Sequence, residues 1–440
     1  MYITEFQISD LSCFRGTQRI SLDRGNETYA GWTVFAGRNG SGKSTLLKAL
    51  ALACVGPLAA RSLVGVFSGW VRQSSEFGRI SAQLDFEEHD RFLGSGATPT
   101  ARFWTGLEWR SQLQAPDTLS EWLDMEPNRA LAAKRGPWAD SPSGWFVAGY
   151  GPYRHLGPTT VEVMRLSQDP VLSRLVNLFH EAATLSDGIE WLKDVHARAL
   201  EGKPGMAPLR DDVLVLLADG LLPDASVVEK VDSEGLWIQR DGISLPLQRV
   251  SDGYRTVTAL VVDLARRLQQ AFGGLSLERS AEGHVVCKLP GVVLIDEVDA
   301  HMHVSWQQKI GFWLTSRFPN IQFLVTTHSP FICQAASTRG IIRLPAPGED
   351  RTIAHVDDSL FNAIVNGGAD EAVMTELFGL DHAHSPEAER LRRQVARLEG
   401  PVLRGQATEQ ERAQYEQLRA KLPSDLGALA RQRLQAMVQK

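Results

Sequence analysis

The run Gly37-Arg38-Asn39-Gly40-Ser41-Gly42-Lys43-Ser44 has the composition of a polyphosphate cradle. Phosphate oxygens are held by several backbone N–H groups aimed at one point, and a glycine-rich turn ahead of a helix N-terminus supplies them. Lys43 is placed to bridge the β- and γ-phosphates of a nucleotide and the Ser44 hydroxyl to ligate Mg²⁺, with Thr45 beginning the helix behind them. Asp296 and Glu297 close the apolar run Val293-Leu294-Ile295. There, one carboxylate, Asp296, can hold the Mg²⁺ shell, and the other, Glu297, can activate water. His328, in Thr326-Thr327-His328-Ser329-Pro330, ends the next apolar strand and is suited to contact a γ-phosphate. Ser251-Asp252-Gly253 precedes a helical run and offers a second helix N-terminus, hence a second phosphate position. One chain cannot easily direct both helix ends at one γ-phosphate, so the second is expected to serve the nucleotide of a partner subunit. Each motif has a plainer reading, as a glycine turn, a strand terminus, a structural histidine or a capped helix. Their occurrence in the order one ATP site needs favours the chemical reading.

The surrounding pattern indicates how these residues are positioned. Residues 2–8 and 18–22 alternate as strands about the turn 12–16, and 31–36 is a buried strand running into the glycine loop. A helix is expected from Lys43 to about Val55, stopped by Gly56-Pro57. Alternation at 80–86 and 103–109 predicts antiparallel strands, and 114–143, with Trp122 and Trp138, predicts a loop-bearing insertion. Residues 161–222 are mostly helical, and Asp241-Gly242 predicts a type I′ hairpin between 236–240 and 243–245. Val257, Leu260, Val261, Leu264 and Leu268 form one helical face. Apolar strands at 291–295 and 321–326 flank a helix near 303–316. Two charged helices, Glu387–Leu398 and Thr408–Leu422, are expected to form a hairpin joined from Gly400-Pro401 to Gly405.

A chain of 440 residues with 43% apolar and 22% charged residues suits a soluble protein of two or three structural units. Cys13, Cys54, Cys287 and Cys333 are scattered, which argues against a disulfide framework or thiolate zinc site and for a reducing cytosol. No apolar run is expected to span a bilayer, and the opening residues carry no leader pattern, so a cytoplasmic location is expected. A net charge of −6 argues against a uniformly basic nucleic-acid binder, although residues 385–440 hold eleven Lys or Arg against seven Asp or Glu.

The set of motifs resembles ABC-type ATPases of the RecF/SMC class, the compact AAA-labelled bacterial proteins related to the ATPase half of overcoming-lysogenization-defect nucleases. The resemblance covers residues 1–60 and 246–345 and is carried by Phe14-Arg15-Gly16, the glycine loop, Val250-Ser251-Asp252-Gly253-Tyr254-Arg255, Asp296-Glu297-Val298-Asp299-Ala300-His301 and Thr327-His328-Ser329-Pro330. It implies a head-to-head dimer around two ATPs, with Ser251 and Gly253 acting in trans, Glu297 as general base, Asp299 in the loop between subunits and His328 as the switch residue. Three features depart from the class. Gly149-Tyr150-Gly151-Pro152-Tyr153-Arg154 stands where a Q-loop glutamine would, which offers Arg154 to phosphate. Asp252 replaces the glycine favoured by transporter-type signatures, and no long coiled-coil arms are present. His301 and His303 beside Asp299 are read as structural rather than as metal ligands, and the short stretch after His328 is not expected to hold a TOPRIM nuclease.

The expected fold is α/β: an ABC-type head with a mixed sheet around the glycine loop, an antiparallel β lobe, a helical insertion and a C-terminal helical hairpin. The expected division is 1–89 and 246–345 for the head, 90–245 for the insertion lobe and 346–440 for the C-terminal unit. The expected activity is Mg-ATP-dependent dimerisation with slow hydrolysis. By the resemblance to ATPases of anti-phage systems such as Septu and PARIS, it would gate a separately encoded nuclease. A DNA-repair ATPase that binds duplex DNA directly, a transporter subunit and an ATP-bound scaffold with little turnover are the rivals.

Overall fold

The computed structural model describes residues 1–112, 115–122, 127–223 and 225–422. It divides into two units, Met1–Phe378 and Gly379 onward. In the first unit, β1 (Tyr2–Ser9) and β2 (Thr17–Ser21) pair antiparallel, as their alternation predicts. β3 (Gly31–Ala36) is buried at all its positions, which suits a strand covered on both faces.

α1 (Lys43–Val64) leaves the glycine loop and is interrupted at Gly56, whose φ of 85° and ψ of 175° are not helical. The expected stop is therefore a kink. Pro57 restarts the helix because a first-turn residue has no intrahelical N–H to lose. A Cβ on Gly56 would lie 2.6 Å from the Trp138 ring, and Trp138 Nε1 donates to the Ala53 carbonyl at 2.9 Å. Contrary to the expectation of no membrane-length run, α1 is long and apolar enough by composition, with a mean hydropathy of 1.5. Yet 67% of that window is buried inside the protein, in a core shared with β1, β3 and the strands that follow.

β4 (Phe77–Asp85), β5 (Phe103–Gln112) and β6 (Ala115–Glu121) extend the first sheet in the order β2-β1-β4-β5-β6. The stretch expected as a loop-bearing insertion thus supplies an edge strand, then α2 (Pro127–Arg135); its residues 114 and 123–126 lie outside the described ones. The strand was hidden because an edge strand needs few apolar residues: in β6 Leu119 alone is buried. β7 (Val147–Tyr150) leaves this lobe and enters the central sheet.

The helical stretch comprises α3 (Val161–Leu166), α4 (Val176–Phe179), α5 (Ser186–Leu200) and α6 (Met206–Ala218). β8 (Val227–Asp232), β9 (Gly235–Arg240) and β10 (Ile243–Pro246) follow as a meander. Its expected tight turn has φ of 51° at Asp241 and 78° at Gly242. α7 (Asp252–Phe272) buries the predicted stripe from Val257 to Leu268. β11 (Leu277–Arg279) and β12 (Val285–Cys287) form a short hairpin.

β13 (Gly291–Ile295), α8 (Val304–Gln307), α9 (Ile310–Arg317), β14 (Ile321–Thr326), α10 (Pro330–Cys333), β15 (Ile341–Arg343) and β16 (Ala354–His355) complete the head. Among the described residues the central sheet runs β16-β15-β3-β14-β13-β7, parallel throughout except for β16. Thr326 lies opposite Phe35, and Ile295 lies opposite both Val325 and Tyr150, so the strands bearing the motifs end at one edge. α11 (Asp358–Val365) and α12 (Ala369–Val373) fold with this unit, with Ile364 and Ala372 in its core. The mixed sheet, antiparallel lobe and helices are the α/β architecture expected of an ABC-type ATPase head.

The second unit contains the expected hairpin, α13 (Pro386–Leu403) and α14 (Glu409–Arg419). α13 runs through Gly400-Pro401, where the sequence suggested a turn. Near a helix end proline forfeits a single N–H bond, and the Arg404 N–H still reaches the Gly400 carbonyl at 3.2 Å. Thr408 and Glu411 form a capping box that starts α14.

A candidate nucleotide site at the carboxyl edge of the parallel sheet

The glycine loop turns from the end of β3 into α1. Gly42, with φ of 86°, precedes the helix, and a Cβ there would lie 2.4 Å from Cys13 Sγ and 2.8 Å from the Phe14 ring. Glycine therefore lets the loop pack on the 12–16 turn. Ser41 is buried, and its Oγ has no hydrogen-bond partner among the protein atoms. Lys43 Nζ folds back on the loop, donating to the Gly37 carbonyl at 2.8 Å and the Arg38 carbonyl at 3.2 Å. Burial pushes the Lys43 ammonium below the usual lysine range, and the carboxylates of Asp296, Glu297 and Asp299 pull it back up. That coupling places the loop lysine and the acidic turn in one electrostatic field. Arg38, Asn39 and Gly40 are exposed, Ser44 and Thr45 half-buried. The glycine cradle, the orphaned serine hydroxyl and the paired acids fit a nucleotide polyphosphate with a divalent cation.

The acidic turn is built around Thr326, at the end of β14 between the loop strand and the acid strand. Thr326 Oγ1 donates to Asp296 Oδ1 at 2.5 Å and accepts from the Glu297 N–H at 2.7 Å. One hydroxyl thus orients both acids. Glu297 has φ of 46°, a left-handed conformation costing a non-glycine residue on the order of 1 kcal/mol. Asp299 accepts from Thr327 Oγ1, and exposed His328 follows. His303 caps α8 by accepting from the Ser305 N–H, which gives it a structural part. Phosphate loop, acids, Asp299 and His328 therefore all lie at the carboxyl edge, where ligands of open α/β sheets bind.

Ser251, Asp252 and Gly253 take a different place. Ser251 stands before α7 with its side chain unused as a cap, and Asp252 pairs with Arg255. A Cβ on Gly253 would lie 3.2 Å from the His301 carbonyl, and the Tyr254 ring packs on Trp306 at 5.2 Å. This turn is thus packed against residues 301–306, and none of its hydrogen bonds or ion pairs described here reaches residues 37–45. The protein brings together the glycine loop, Asp296, Glu297 and Asp299, and seats Gly253 against the His301 end of the acidic turn.

Arg154 requires a correction. It is 1% exposed, so it is not available to phosphate. Nη1 donates to the carbonyls of Gly151 at 2.7 Å and Asp296 at 2.9 Å. Nη2 donates to those of Glu297, Val298 and Ala300 at 2.9, 3.2 and 3.4 Å. Burial pushes this guanidinium down to about 10, against the pull of Asp299, Asp296 and Glu297, so it remains a cation at neutral pH. The sequence also left Tyr150 unassigned. Its carbonyl accepts the Asp296 N–H at 2.8 Å, and its hydroxyl donates to Asp263 Oδ2 on α7 at 3.0 Å, where Arg267 Nε also donates at 2.5 Å. These buried bonds join the helix behind Ser251 to the strand beside the acids. Buried polar residues inside apolar runs were the only sign of them.

Cavities of about 240 and 290 Å³ flank the glycine loop, the first lined by Gly37, Arg38 and Glu349, the second by Phe14, Arg15, Gly40 and Ser41. A larger one, about 580 Å³, lies against Trp306, Phe312 and Trp313 and contains none of the phosphate-loop or acid residues.

Two family models match the chain: an AAA domain over residues 5–100, and "AAA domain, putative AbiEii toxin, Type IV TA system" over 176–334. The Retron Ec83 probable ATPase of Escherichia coli is 40% identical over 106 residues, 24% of this chain and 18% of that protein. The Septu protein PtuA of Bacillus mycoides (strain KBAB4) is 24% identical over 341 residues, 78% of this chain and 39% of that protein. The chain therefore spans less than two fifths of these relatives' lengths. Among solved structures, an Smc head bound to the C-winged helix domain of ScpA aligns with a TM-score of 0.45 at 14% identity, over 81% of this chain and 98% of that one.

Proposed function

From the resemblance of its motifs to ABC-type ATPases of the RecF/SMC class and its similarity to retron and Septu proteins, we propose that the protein binds Mg-ATP between two copies of itself. Slow hydrolysis would then gate a separately encoded effector, a nuclease of an anti-phage system. The observation that carries the reading is the convergence of the glycine loop and the acids at one sheet edge. The glycine loop and acids share an edge, and Ser251-Asp252-Gly253, which makes no hydrogen bond to the loop among those described, is assigned to the site of a partner copy.

In this reading residues 37–45 hold the phosphates, with loop amides and Lys43 on the β- and γ-groups. Mg²⁺, held by Ser44 and Asp296, would offset phosphate charge. Glu297 takes the proton of the attacking water, and His328 contacts the γ-phosphate. Ser251, Asp252 and Gly253 of the partner approach that phosphate with the N-terminus of α7, and Asp299 lies between the subunits. The products are ADP and phosphate. Its similarity to a retron probable ATPase and to a Septu protein supports an ATPase, and the segments 90–245 and 346–440 are proposed to read the partner and trigger.

The test is native mass spectrometry of Glu297→Gln purified from its own host with Mg-ATP. An ATP-loaded, even-numbered assembly with a second polypeptide is expected. A bare ATP-loaded dimer would shift the reading to direct DNA binding, and a nucleotide-free monomer would defeat the trans site.

A further inference from the structure

Between the end of β7 and the acidic turn, one buried cation gathers a set of carbonyl groups. The carbonyls of Asp296, Glu297, Val298 and Ala300 all accept from the Arg154 guanidinium, as does that of Gly151. Carbonyl dipoles pointed at one spot repel each other, and a buried cluster of them needs a cation with several donors at its centre. Arginine meets that need with a planar fork of five N–H groups that stays charged when buried. Lysine would bring a point charge that is readily lost on desolvation.

The backbone thus held is irregular. Glu297 and His301, at either end of the cluster, have φ of 46° and 64°. The Ala300 N–H closes back on the Glu297 carbonyl at 2.8 Å. The Glu297 N–H is fixed by Thr326, but its carbonyl is shared between Ala300 and Arg154. On its own side Arg154 is anchored through Gly151, whose N–H donates to Asn177 Oδ1 at 3.0 Å. The segment at the end of β7 therefore reaches the acidic turn through the Tyr150 carbonyl and the Arg154 side chain, and none of the Arg154 hydrogen bonds described here is made to the glycine loop.

We propose that Arg154 is a positioning residue for ATP hydrolysis: it holds the turn 296–300 in the shape that presents Glu297 and Asp299, without touching the nucleotide. The inference rests on the reading of Glu297 as the base. A displaced turn would spare phosphate binding, which belongs to residues 37–45, and would impair the step that needs the base in place.

The experiment compares Arg154→Lys and Arg154→Met with Glu297→Gln in the full-length chain. It measures ATP affinity by titration and turnover over a range of ATP concentrations. For Arg154→Lys, ATP affinity within about threefold of wild type and kcat lower by about 100-fold are expected, the loss that a small misplacement of a catalytic group produces. KM should stay near the wild-type value, and lysine should not rescue. Should Arg154→Met fail to fold, Arg154→Lys alone carries the test. Wild-type kcat in a folded Arg154→Lys, beside an inactive Glu297→Gln, would overturn the positioning role and leave the base standing. Loss of ATP affinity with unchanged kcat would overturn it in favour of a phosphate contact. Undiminished turnover in Glu297→Gln would instead remove the reading on which the proposal rests.

Discussion

At the residue scale, the assignments divide by how local their chemistry is. Gly37 to Ser44 and the Asp296-Glu297 pair could be found in the sequence because phosphate binding and acid chemistry need particular residue types at short spacing. Lys43 illustrates the energetics. Its ammonium lies within the glycine loop under the pull of three carboxylates, and a contact between a charged donor and phosphate contributes more than ~1 kcal/mol. Lys43→Ala should therefore weaken ATP binding by at least about fivefold in equilibrium titration. Affinity retained within about threefold would contradict the site assignment. Arg154 shows the reverse. Its position in the chain suggested phosphate, but its burial and five carbonyl partners dedicate it to the backbone of the acidic turn.

At the scale of elements, the strands and helices with strong periodicity lay where the pattern put them, including the tight turn at Asp241-Gly242 and the buried stripe of α7. The misread elements have specific causes. β6 lacks alternation because it is an edge strand with one buried residue. α1 continues past Gly56 because the kink is secured from outside by Trp138. That contact makes a test. Gly56→Ala would place a Cβ against the indole in a backbone region natural only to glycine, at a cost of at least ~2 kcal/mol. Its thermal unfolding midpoint should fall by several degrees. An unchanged midpoint would mean that the Gly56–Trp138 packing does not constrain α1.

At the scale of the whole molecule, the question is whether one chain holds a complete site. The proposed trans role of Ser251-Asp252-Gly253, whose Gly253 lies against the His301 carbonyl, leads to a complementation experiment. Lys43→Ala spoils the phosphate loop and Ser251→Arg the partner-facing turn. In a mixed dimer one of the two composite sites holds both defects and the other neither. Mixing the two inactive variants should restore ATP turnover that neither shows alone. No recovery, from variants shown to form mixed dimers, would mean that each chain works by itself. By itself the sequence determined the glycine loop, the paired acids, the order of the motifs and most of the regular elements, because each depends on residue type and spacing over a few positions. Only the tertiary structure decided that Thr326 orients both acids, that Tyr150 and Asp263 join β7 to α7, and that Arg154 serves carbonyls rather than phosphate. Those roles arise from partners more than a hundred positions away or on a neighbouring strand. Burial and strand order bring them together, and local spacing carries no record of either.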